Sequence, residues 1–233
     1  MPLKPVKAGS DMYQGWITHT HSHLGGACPH ACSYCYVQRN RFGVPARYQG
    51  EPRLIESELA VNYGSGKTIF IEHMNDMFAE GIKDEWIKTI LNHCKKYPNN
   101  TYVFQTKNPR WDGMEYLIKN ISSLMIGTTI ETNRDIPSLI TKAPQPLIRL
   151  HMFKALTGLV KTFITLEPLM NCDVDVMAEW LKHIKPSFVN IGADSKKCGL
   201  PEPPAEKVRE LIARLQEAGL TIKEKSNLKR LLI

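Results

Sequence analysis

The sequence has no long apolar segment, no signal peptide and few cysteines. No stretch of about 18 consecutive apolar residues occurs in the 233-residue chain, so we expect no membrane-spanning helix and no membrane partner. The first residues, MPLKPVKAGSDMYQGW, lack the apolar region of a secretory signal peptide, and we expect a cytoplasmic protein. Six cysteines in a chain of this size argue against a disulfide scaffold. With 42% hydrophobic residues, the chain can instead form a hydrophobic core.

Acidic residues are also fewer than basic ones. The chain has 30 Lys and Arg residues against 23 Asp and Glu residues, which gives a formal net charge of +7. Such a surplus favours an anionic partner, such as a nucleic acid or a phosphorylated ligand. Many basic proteins bind no polyanion, so the charge alone leaves the partner open.

Short segments rich in β-branched and aromatic residues alternate with longer segments of helical periodicity. Strands are predicted at residues 15–20, 68–73, 101–106, 124–131, 162–167, 187–192 and 220–225. Helices are predicted at residues 83–97, 173–184 and 203–218, with others near 52–63, 110–121 and 145–157. This alternation predicts parallel strands that are joined by crossover helices.

The chain length limits how many such units can form. A closed eightfold barrel takes ~250 residues, and a long cysteine-containing loop after the first strand leaves room for about six units here. We therefore predict one α/β domain over residues 1–233, with a partial parallel (β/α)6-type barrel over about residues 15–225. Short N- and C-terminal extensions and an extra C-terminal strand complete the prediction. An open doubly wound sheet is the alternative.

Polar residues collect where the predicted strands end, in the segments EHMND, QTKN, TIETN, EP and GADSK. In α/β barrels and open sheets this edge is where ligands bind. Thr129 and Glu131 share one face of a strand at a period of two, and Glu167 ends the next strand in the same way. We expect these residues to line a polar pocket.

Cys28, Cys32 and Cys35 have the spacing C-x3-C-x2-C, and there is no second cluster. A structural zinc site needs four ligands, which His30 or the histidines of HTHSH (residues 19–23) could complete. The latter lie ~6.6 Å apart along an extended strand, which is wide for one ion. Thiolates are also the usual ligands of iron–sulfur clusters. Three of them would leave one iron open.

The segment CPHACSYC, with an aromatic residue before its last cysteine, resembles the signature of radical S-adenosylmethionine (radical SAM) enzymes. Four later segments, YVFQTKNP, GTTIETN, FITLEPL and FVNIGADS, resemble those of a small phage-associated radical-SAM family of unknown function that is akin to spore photoproduct lyase. Two departures stand out. The phage family has wider spacing between its first two cysteines, and it commonly has GGES where this chain has GADS.

The resemblance implies a [4Fe-4S] cluster on Cys28, Cys32 and Cys35, S-adenosylmethionine as the second cofactor, and an external one-electron reductant of the flavodoxin or ferredoxin type. It places Tyr34 beside the adenine. It implies cofactor roles for the residues at the strand ends: Asn75 or Asp76 for the methionyl amine, Lys107 for the carboxylate, Thr129 and Glu131 for the ribose or the amine, and Glu167 and Asp194 for cofactor or substrate.

The same resemblance suggests a substrate class. Spore photoproduct lyase acts on DNA and uses a cysteine as hydrogen donor, and Cys198 is a candidate for that role. The leading hypothesis is therefore repair or modification of a nucleic acid or nucleotide. A peptide or small metabolite is the first alternative, and a non-enzymatic metal or nucleic-acid binding module is the second. We expect phosphate contacts from the basic residues that flank the predicted barrel opening: Arg39, Arg41, Arg47, Lys223, Lys225, Lys229 and Arg230.

Overall fold

The computed structural model describes residues 3–7 and 15–233. Its strands are β1 (Lys4–Pro5), β2 (His19–His21), β3 (Leu24–Gly25), β4 (Arg53–Leu54), β5 (Thr68–Ile71), β6 (Thr101–Thr106), β7 (Leu124–Thr129), β8 (Lys161–Leu166), β9 (Val189–Ile191) and β10 (Ile222–Glu224). Its helices are α1 (Asp84–Lys95), α2 (Glu115–Lys119), α3 (Pro146–Lys154), α4 (Val174–Ile184) and α5 (Ala205–Glu217).

Eight strands form the main sheet in the order β1-β2-β5-β6-β7-β8-β9-β10. All neighbours are parallel except β1, which pairs antiparallel with β2. Strands β3 and β4 form a separate antiparallel pair. Within the described residues, β1 and β10 are the two open edges of the sheet. The mixed α/β class and the extra C-terminal strand are thus confirmed, and the mostly parallel sheet is consistent with a partial barrel.

The two faces of the sheet bury different apolar clusters. The larger cluster contains side chains of the crossover helices, such as Ile87 of α1 and Met177 of α4, so it lies between sheet and helices. The smaller cluster contains Phe70, Val103 and Phe163 with no helical residue, and therefore lies on the face away from the helices. Its aromatic side chains form a floor beneath the carboxyl ends of the strands.

Three helix predictions agree with α1, α4 and α5 to within two residues at each end. The helix predicted near residues 52–63 is wrong. That segment contains β4 and a 3-10 helix, Glu56–Ala60, because tertiary contacts hold it. The amide of Ile55 donates to His23 O, and the buried Glu58 carboxylate pairs with Arg47. In the described residues between β2 and β5, the predicted helix is therefore replaced by an irregular segment.

Two smaller predictions are also corrected. The first strand was predicted at residues 15–20 but begins at His19, because Trp16 and Ile17 instead pack with the smaller apolar cluster. Asp173 precedes α4 as predicted for a helix cap, but its side chain makes no capping hydrogen bond. Its carboxylate accepts from Arg134 Nη2 at 2.7 Å. None of the described helices is long and apolar enough to cross a membrane.

Candidate functional site

Cys28, Cys32 and Cys35 lie as free thiols on one loop after β3, which we call the Cys loop (residues 26–45). The amide of Ala31 donates to Cys28 O at 3.1 Å, and the amide of Cys35 donates to Cys32 O at 3.0 Å, so two consecutive turns carry the three cysteines. Cys32 is buried, and its Sγ lies 3.2 Å from Thr141 Oγ1. The other two thiols are half-buried.

The surroundings of Cys28 and Cys32 disfavour their thiolate forms. Burial raises the pKa of Cys28, and the nearby charges of Asp76, Cys32 and Cys35 raise it further. Burial also raises the pKa of Cys32. Thiolates at these positions would therefore need a cation beside them. Among residues 3–7 and 15–233, no three His, Cys, Asp or Glu side chains are arranged to hold a single metal ion.

The histidines that could complete a zinc site contact other groups. Nδ1 of His23 lies 2.9 Å from Glu72 Oε1, and Nε2 of His30 lies 2.8 Å from Asp76 Oδ2. The ring of His21 lies 3.7 Å from a buried carboxylate, and burial lowers its pKa to about 3. These pairings favour neither a four-ligand zinc site on the Cys loop nor one on the HTHSH segment.

Asn75 and Asp76, in the loop after β5, hold the base of the Cys loop. Asn75 Nδ2 donates to Gly26 O at 3.1 Å. Asp76 Oδ2 accepts from the amide of Lys107 at 2.8 Å and contacts His30 at the same distance. Burial would raise the pKa of Asp76, but His30 and these hydrogen bonds outweigh it and lower that pKa. Asp76 therefore connects the Cys loop to the end of β6.

Glu131 lies at the centre of a buried polar group that we call the Glu131 cluster: Tyr34, Lys107, Glu131 and Arg149. Its Oε1 accepts from Lys107 Nζ at 2.8 Å and from the hydroxyl of Tyr34. Its Oε2 lies 2.8 Å from Arg149 Nη1. The Lys107 ammonium also lies 5.2 Å from the centre of the Tyr34 ring. Three residues predicted separately from the sequence thus meet at one point.

The partners of Glu131 maintain its charge despite its burial. Glu131 and Arg149 are fully buried. Burial alone would raise the pKa of Glu131, but Arg149 and then Lys107 outweigh this effect and lower it to about 2. Burial and the Glu131 charge raise the pKa of Tyr34 well above its usual value, so this phenol stays protonated and donates.

The sequence analysis did not identify Arg149. Its guanidinium donates to Thr129 O at 2.6 Å and to Pro144 O at 2.7 Å, which fixes it against the end of β7. The signal was present in the helical period, because Arg149 lies on the same face of α3 as the buried Pro146 and Phe153. An arginine on the apolar face of a helix needs a buried anionic partner.

Thr129 belongs to a polar layer above the aromatic floor. Its Oγ1 accepts from Gln105 Nε2 at 2.9 Å. On the next pair of strands, Asn190 Nδ2 lies 3.4 Å from Thr165 Oγ1. The buried Oδ1 of Asn190 has no hydrogen-bond donor within the described chain. A donor group on a bound molecule would satisfy that oxygen.

Glu167, at the end of β8, is held by the C-terminal segment. Its carboxylate accepts from Lys225 Nζ at 2.6 Å and from Asn227 Nδ2 at 2.9 Å. A Cβ atom at Gly192 would lie 2.9 Å from the Glu167 carboxyl carbon, so only glycine fits there without a shift. Lys225 is therefore paired with a carboxylate and is not a free surface cation.

Asp194 and Cys198 form a turn after β9. The Asp194 carboxylate accepts the amide of Lys196 at 3.0 Å and the amide of Cys198. Burial, with the nearby Asp194 charge, raises the pKa of the Cys198 thiol, whereas Arg39 of the Cys loop lowers it. Cys198 therefore lies within electrostatic reach of the Cys loop. Its proposed role as a hydrogen donor stays a prediction.

Most of the basic residues predicted to contact phosphate already have partners. Arg47 pairs with Glu58, Lys225 with Glu167 and Arg230 with Glu202. The Lys223 ammonium lies 3.8 Å from the centre of the Phe188 ring, and the guanidinium of Arg41 lies over Phe42. The carboxylates partly neutralise the charges of Arg47, Lys225 and Arg230. Phosphate binding by the basic residues stays a prediction.

The comparisons with solved structures concern the fold. A spore photoproduct lyase mutant has a TM-score of 0.60 at 10% identity, over 91% of this chain and 78% of that chain. A mutant with bound AdoMet and dinucleoside spore photoproduct has a TM-score of 0.58 at 12% identity, over 88% of this chain. SuiB of Streptococcus suis, bound to its precursor peptide SuiA, has a TM-score of 0.60 at 9% identity, over 89% of this chain.

At 9–12% identity these likenesses show a fold that the chain shares with spore photoproduct lyase and SuiB. The chain spans 62% of the ligand-bound lyase and 48% of SuiB, which is less than two thirds of either. No curated protein matches the chain. One family model matches residues 15–195, well over half of the sequence. The chain therefore belongs to the DUF5131 family, which is described as a protein of unknown function.

Proposed function

We propose that the protein is a radical SAM enzyme whose Cys loop holds a [4Fe-4S] cluster through Cys28, Cys32 and Cys35. The observation that carries the proposal is the position of these three free thiols, on one loop beside the Glu131 cluster, in a chain with the fold of radical SAM enzymes. When bound and reduced by an external flavodoxin- or ferredoxin-type donor, the cluster would supply the electron that cleaves S-adenosylmethionine to a 5′-deoxyadenosyl radical.

The thiols fit a cluster better than they fit a single ion. A cluster binds thiolates through different iron atoms, so the sulfurs need not converge on one point. The positive charge of the iron would offset the burial and mutual repulsion that raise the pKa of Cys28. Three protein ligands would leave one iron open for the second cofactor.

The Glu131 cluster would orient S-adenosylmethionine. The methionyl group of S-adenosylmethionine carries an ammonium and a carboxylate. The Glu131 cluster likewise has charges of both signs, because Lys107 Nζ lies 2.8 Å from Glu131 Oε1. Glu131 is fully buried, whereas the Lys107 side chain is 16% exposed. Lys107 would therefore bind the methionyl carboxylate directly, and Glu131 with Arg149 would position Lys107. The buried Asn190 Oδ1 would accept from a hydroxyl or amine of the bound cofactor.

Nucleic acid is the proposed substrate class. The net charge of +7 supports it, as does the likeness to a lyase that was solved with a dinucleoside photoproduct. A peptide substrate is the second candidate, because SuiB has a TM-score of 0.60 and was solved with a precursor peptide. A binding module without catalysis would need no buried, charged Glu131 cluster next to the cysteines.

Anaerobic reconstitution with iron and sulfide tests the proposal. The wild-type chain, given dithionite and S-adenosylmethionine, is expected to bind about four irons and to release 5′-deoxyadenosine. Cys28→Ala is expected to lose both. The control Cys94→Ala, which removes a buried thiol of α1, should keep both. A wild-type chain that binds one zinc and no iron under these conditions would contradict the proposal.

The same assay separates the substrate classes. If a nucleic acid is the substrate, single-stranded oligonucleotide should raise the yield of 5′-deoxyadenosine above the uncoupled rate. If a basic or neutral peptide library raises it and oligonucleotide does not, the peptide alternative replaces the nucleic-acid proposal.

A further inference from the structure

A cleft opens beside the carboxyl ends of β9 and β10. One wall is the turn after β9, and the other is the C-terminal 3-10 helix, Ser226–Leu231. We call it the C-terminal cleft, and the side chains that matter for its chemistry are Asp194, Ser195, Lys197, Asn227, Lys229 and Arg230. It is distinct from the Cys loop and from the Glu131 cluster.

The walls of the C-terminal cleft are joined by hydrogen bonds. Arg230 donates through Nη1 and Nη2 to both carboxylate oxygens of Glu202 at 2.6 Å, and through Nη2 to Asp194 O at 2.9 Å. Asn227 Nδ2 donates to Ala193 O at 3.0 Å. Because the 3-10 helix is tied to the turn in this way, the cleft is pre-formed and its width is set.

Two lysines of the cleft carry unpaired charge. The exposed side chains of Lys197 and Lys229 make no ion pair or hydrogen bond within the described part of the chain. The acidic groups are already engaged: Glu202 pairs with Arg230, and the buried Asp194 carboxylate accepts two amides of its own turn. The cleft therefore presents two ammonium groups with the Ser195 hydroxyl beside them.

The backbone at Lys197 adds a second observation. Its φ of 51° lies in the left-handed region, where glycine or asparagine is the usual residue. The turn around Asp194 holds it there, because the amide of Lys197 donates to Asp194 O at 3.2 Å. A strained lysine in a braced turn, facing a cleft, is more consistent with a binding role than with a random surface position.

We propose that the C-terminal cleft binds the backbone phosphates of a single-stranded nucleic acid, with Lys197 and Lys229 as the contacts. The inference rests on the proposed function, because it specifies how a nucleic-acid substrate is held. Ammonium groups and hydroxyl or amide donors are the groups that bind phosphate oxygens in protein–nucleic acid contacts. Asn227, which lines the cleft, also donates to Glu167 at the carboxyl end of β8. A single-stranded nucleic acid bound in the cleft would therefore lie next to that end of β8.

Fluorescence anisotropy with a labelled single-stranded oligodeoxynucleotide tests the cleft on the full chain. The variant is Lys197→Ser with Lys229→Ser. The matched control is Lys88→Ser with Lys119→Ser, which removes two exposed lysines from the outer helices α1 and α2. Each lost contact with single-stranded phosphate should flatten the slope of log affinity against log salt by about 0.7, so we expect about 1.4 for the variant and no change for the control.

Three results would contradict the proposal that the C-terminal cleft binds nucleic acid. They are absence of wild-type binding at low salt, equal slopes for the variant and the control, and equal displacement of the oligonucleotide by a polyglutamate peptide. Release of 5′-deoxyadenosine without substrate is measured in parallel. If the wild type binds oligonucleotide through these lysines but releases no 5′-deoxyadenosine, phosphate binding in the C-terminal cleft is supported and the radical SAM proposal is contradicted. If it releases 5′-deoxyadenosine and the salt slopes of the variant and the control are equal, the radical SAM proposal is supported and phosphate binding in the C-terminal cleft is contradicted.

Discussion

The Glu131 carboxylate and the Arg149 guanidinium form an ion pair from which water is excluded on both sides. Their closest atoms, Oε2 and Nη1, are 2.8 Å apart, and neither side chain is exposed. One residue follows β7 and the other lies in α3, so the pair joins the rim of the proposed pocket to the outer helical layer. A buried charge without a partner is strongly destabilising, which makes each member necessary to the other.

Removing the arginine should therefore be costly. We expect Arg149→Met to lower the free energy of unfolding by about 3 kcal/mol, because it leaves the Glu131 charge with Lys107 alone. Urea denaturation followed by circular dichroism measures the change. The matched control is Arg134→Met, which breaks the exposed pair with Asp173 and should cost much less, because solvent screens exposed ion pairs. Equal losses in the two variants would contradict the assignment.

Affinity for S-adenosylmethionine should depend on Lys107. We expect Lys107→Met to weaken binding roughly 10- to 150-fold, as for the loss of a charge-assisted hydrogen bond worth about 1.5–3 kcal/mol. Glu131→Gln should weaken it in the same direction. Calorimetry on the reconstituted protein gives the affinity, and iron content shows whether the cluster is retained. Lys142→Met, an exposed lysine whose amide contacts the Cys loop, should leave the affinity unchanged.

The buried histidines predict acid sensitivity. Burial, and then the charge of His23, lowers the pKa of His93 from 6.5 to about 4. The unfolded chain then binds a proton that the folded chain rejects, so stability is complete above pH 6.5 and falls as the pH drops toward 4. The loss at pH 4 amounts to at most roughly 3 kcal/mol.

Urea denaturation of the apoprotein at several pH values between 7 and 4 measures this effect. The slope of the free energy of unfolding against pH reports the number of protons taken up on unfolding. In His93→Gln that number should be smaller by up to one. His151→Gln, at an exposed position of α3, serves as the control and should keep the wild-type slope. An unchanged slope in His93→Gln would show that other groups take up the proton.

A substitution at Gly127 tests how closely the backbone of β7 packs against the Phe163 ring of the aromatic floor. A Cβ atom at this position would lie 2.2 Å from the Phe163 ring, so the ring must move. We expect Gly127→Ala to lower the free energy of unfolding by about 1–3 kcal/mol through overpacking. Adding Phe163→Leu should recover part of that loss, because it removes the ring that clashes. Thermal denaturation of the single and double variants decides the matter, and a Gly127→Ala protein as stable as wild type would refute the close contact.

Residue types and strand order predicted much of this arrangement. Lys107 and Glu131 follow the carboxyl ends of β6 and β7, and parallel strands bring those ends to one edge. Tyr34 reaches the same edge from the Cys loop, which follows the separate strand β3. Arg149 was missed because that rule considers only strand ends, whereas Arg149 reaches the edge from a helix.

The pairing of charges was harder to predict. Lys225 and Arg230 stood out as free cations by position, yet each has a carboxylate partner from a distant loop. Within the described residues, Lys197 and Lys229 remain unpaired because the neighbouring acids are engaged elsewhere. Single-sequence patterns contain no information on such long-range partners, so the C-terminal cleft became visible only in the fold.

Asp76 makes the Cys loop and the Glu131 cluster interdependent. The same oxygen, Oδ2, contacts His30 of the Cys loop and accepts the amide of Lys107. Whatever orders the loop therefore also restricts Lys107, and a ligand that engages Lys107 restrains the loop in turn. Thermodynamic reciprocity requires the two effects to be equal in free energy. Filling of the Cys loop and affinity at Lys107 should rise together, and Asp76→Asn should uncouple them.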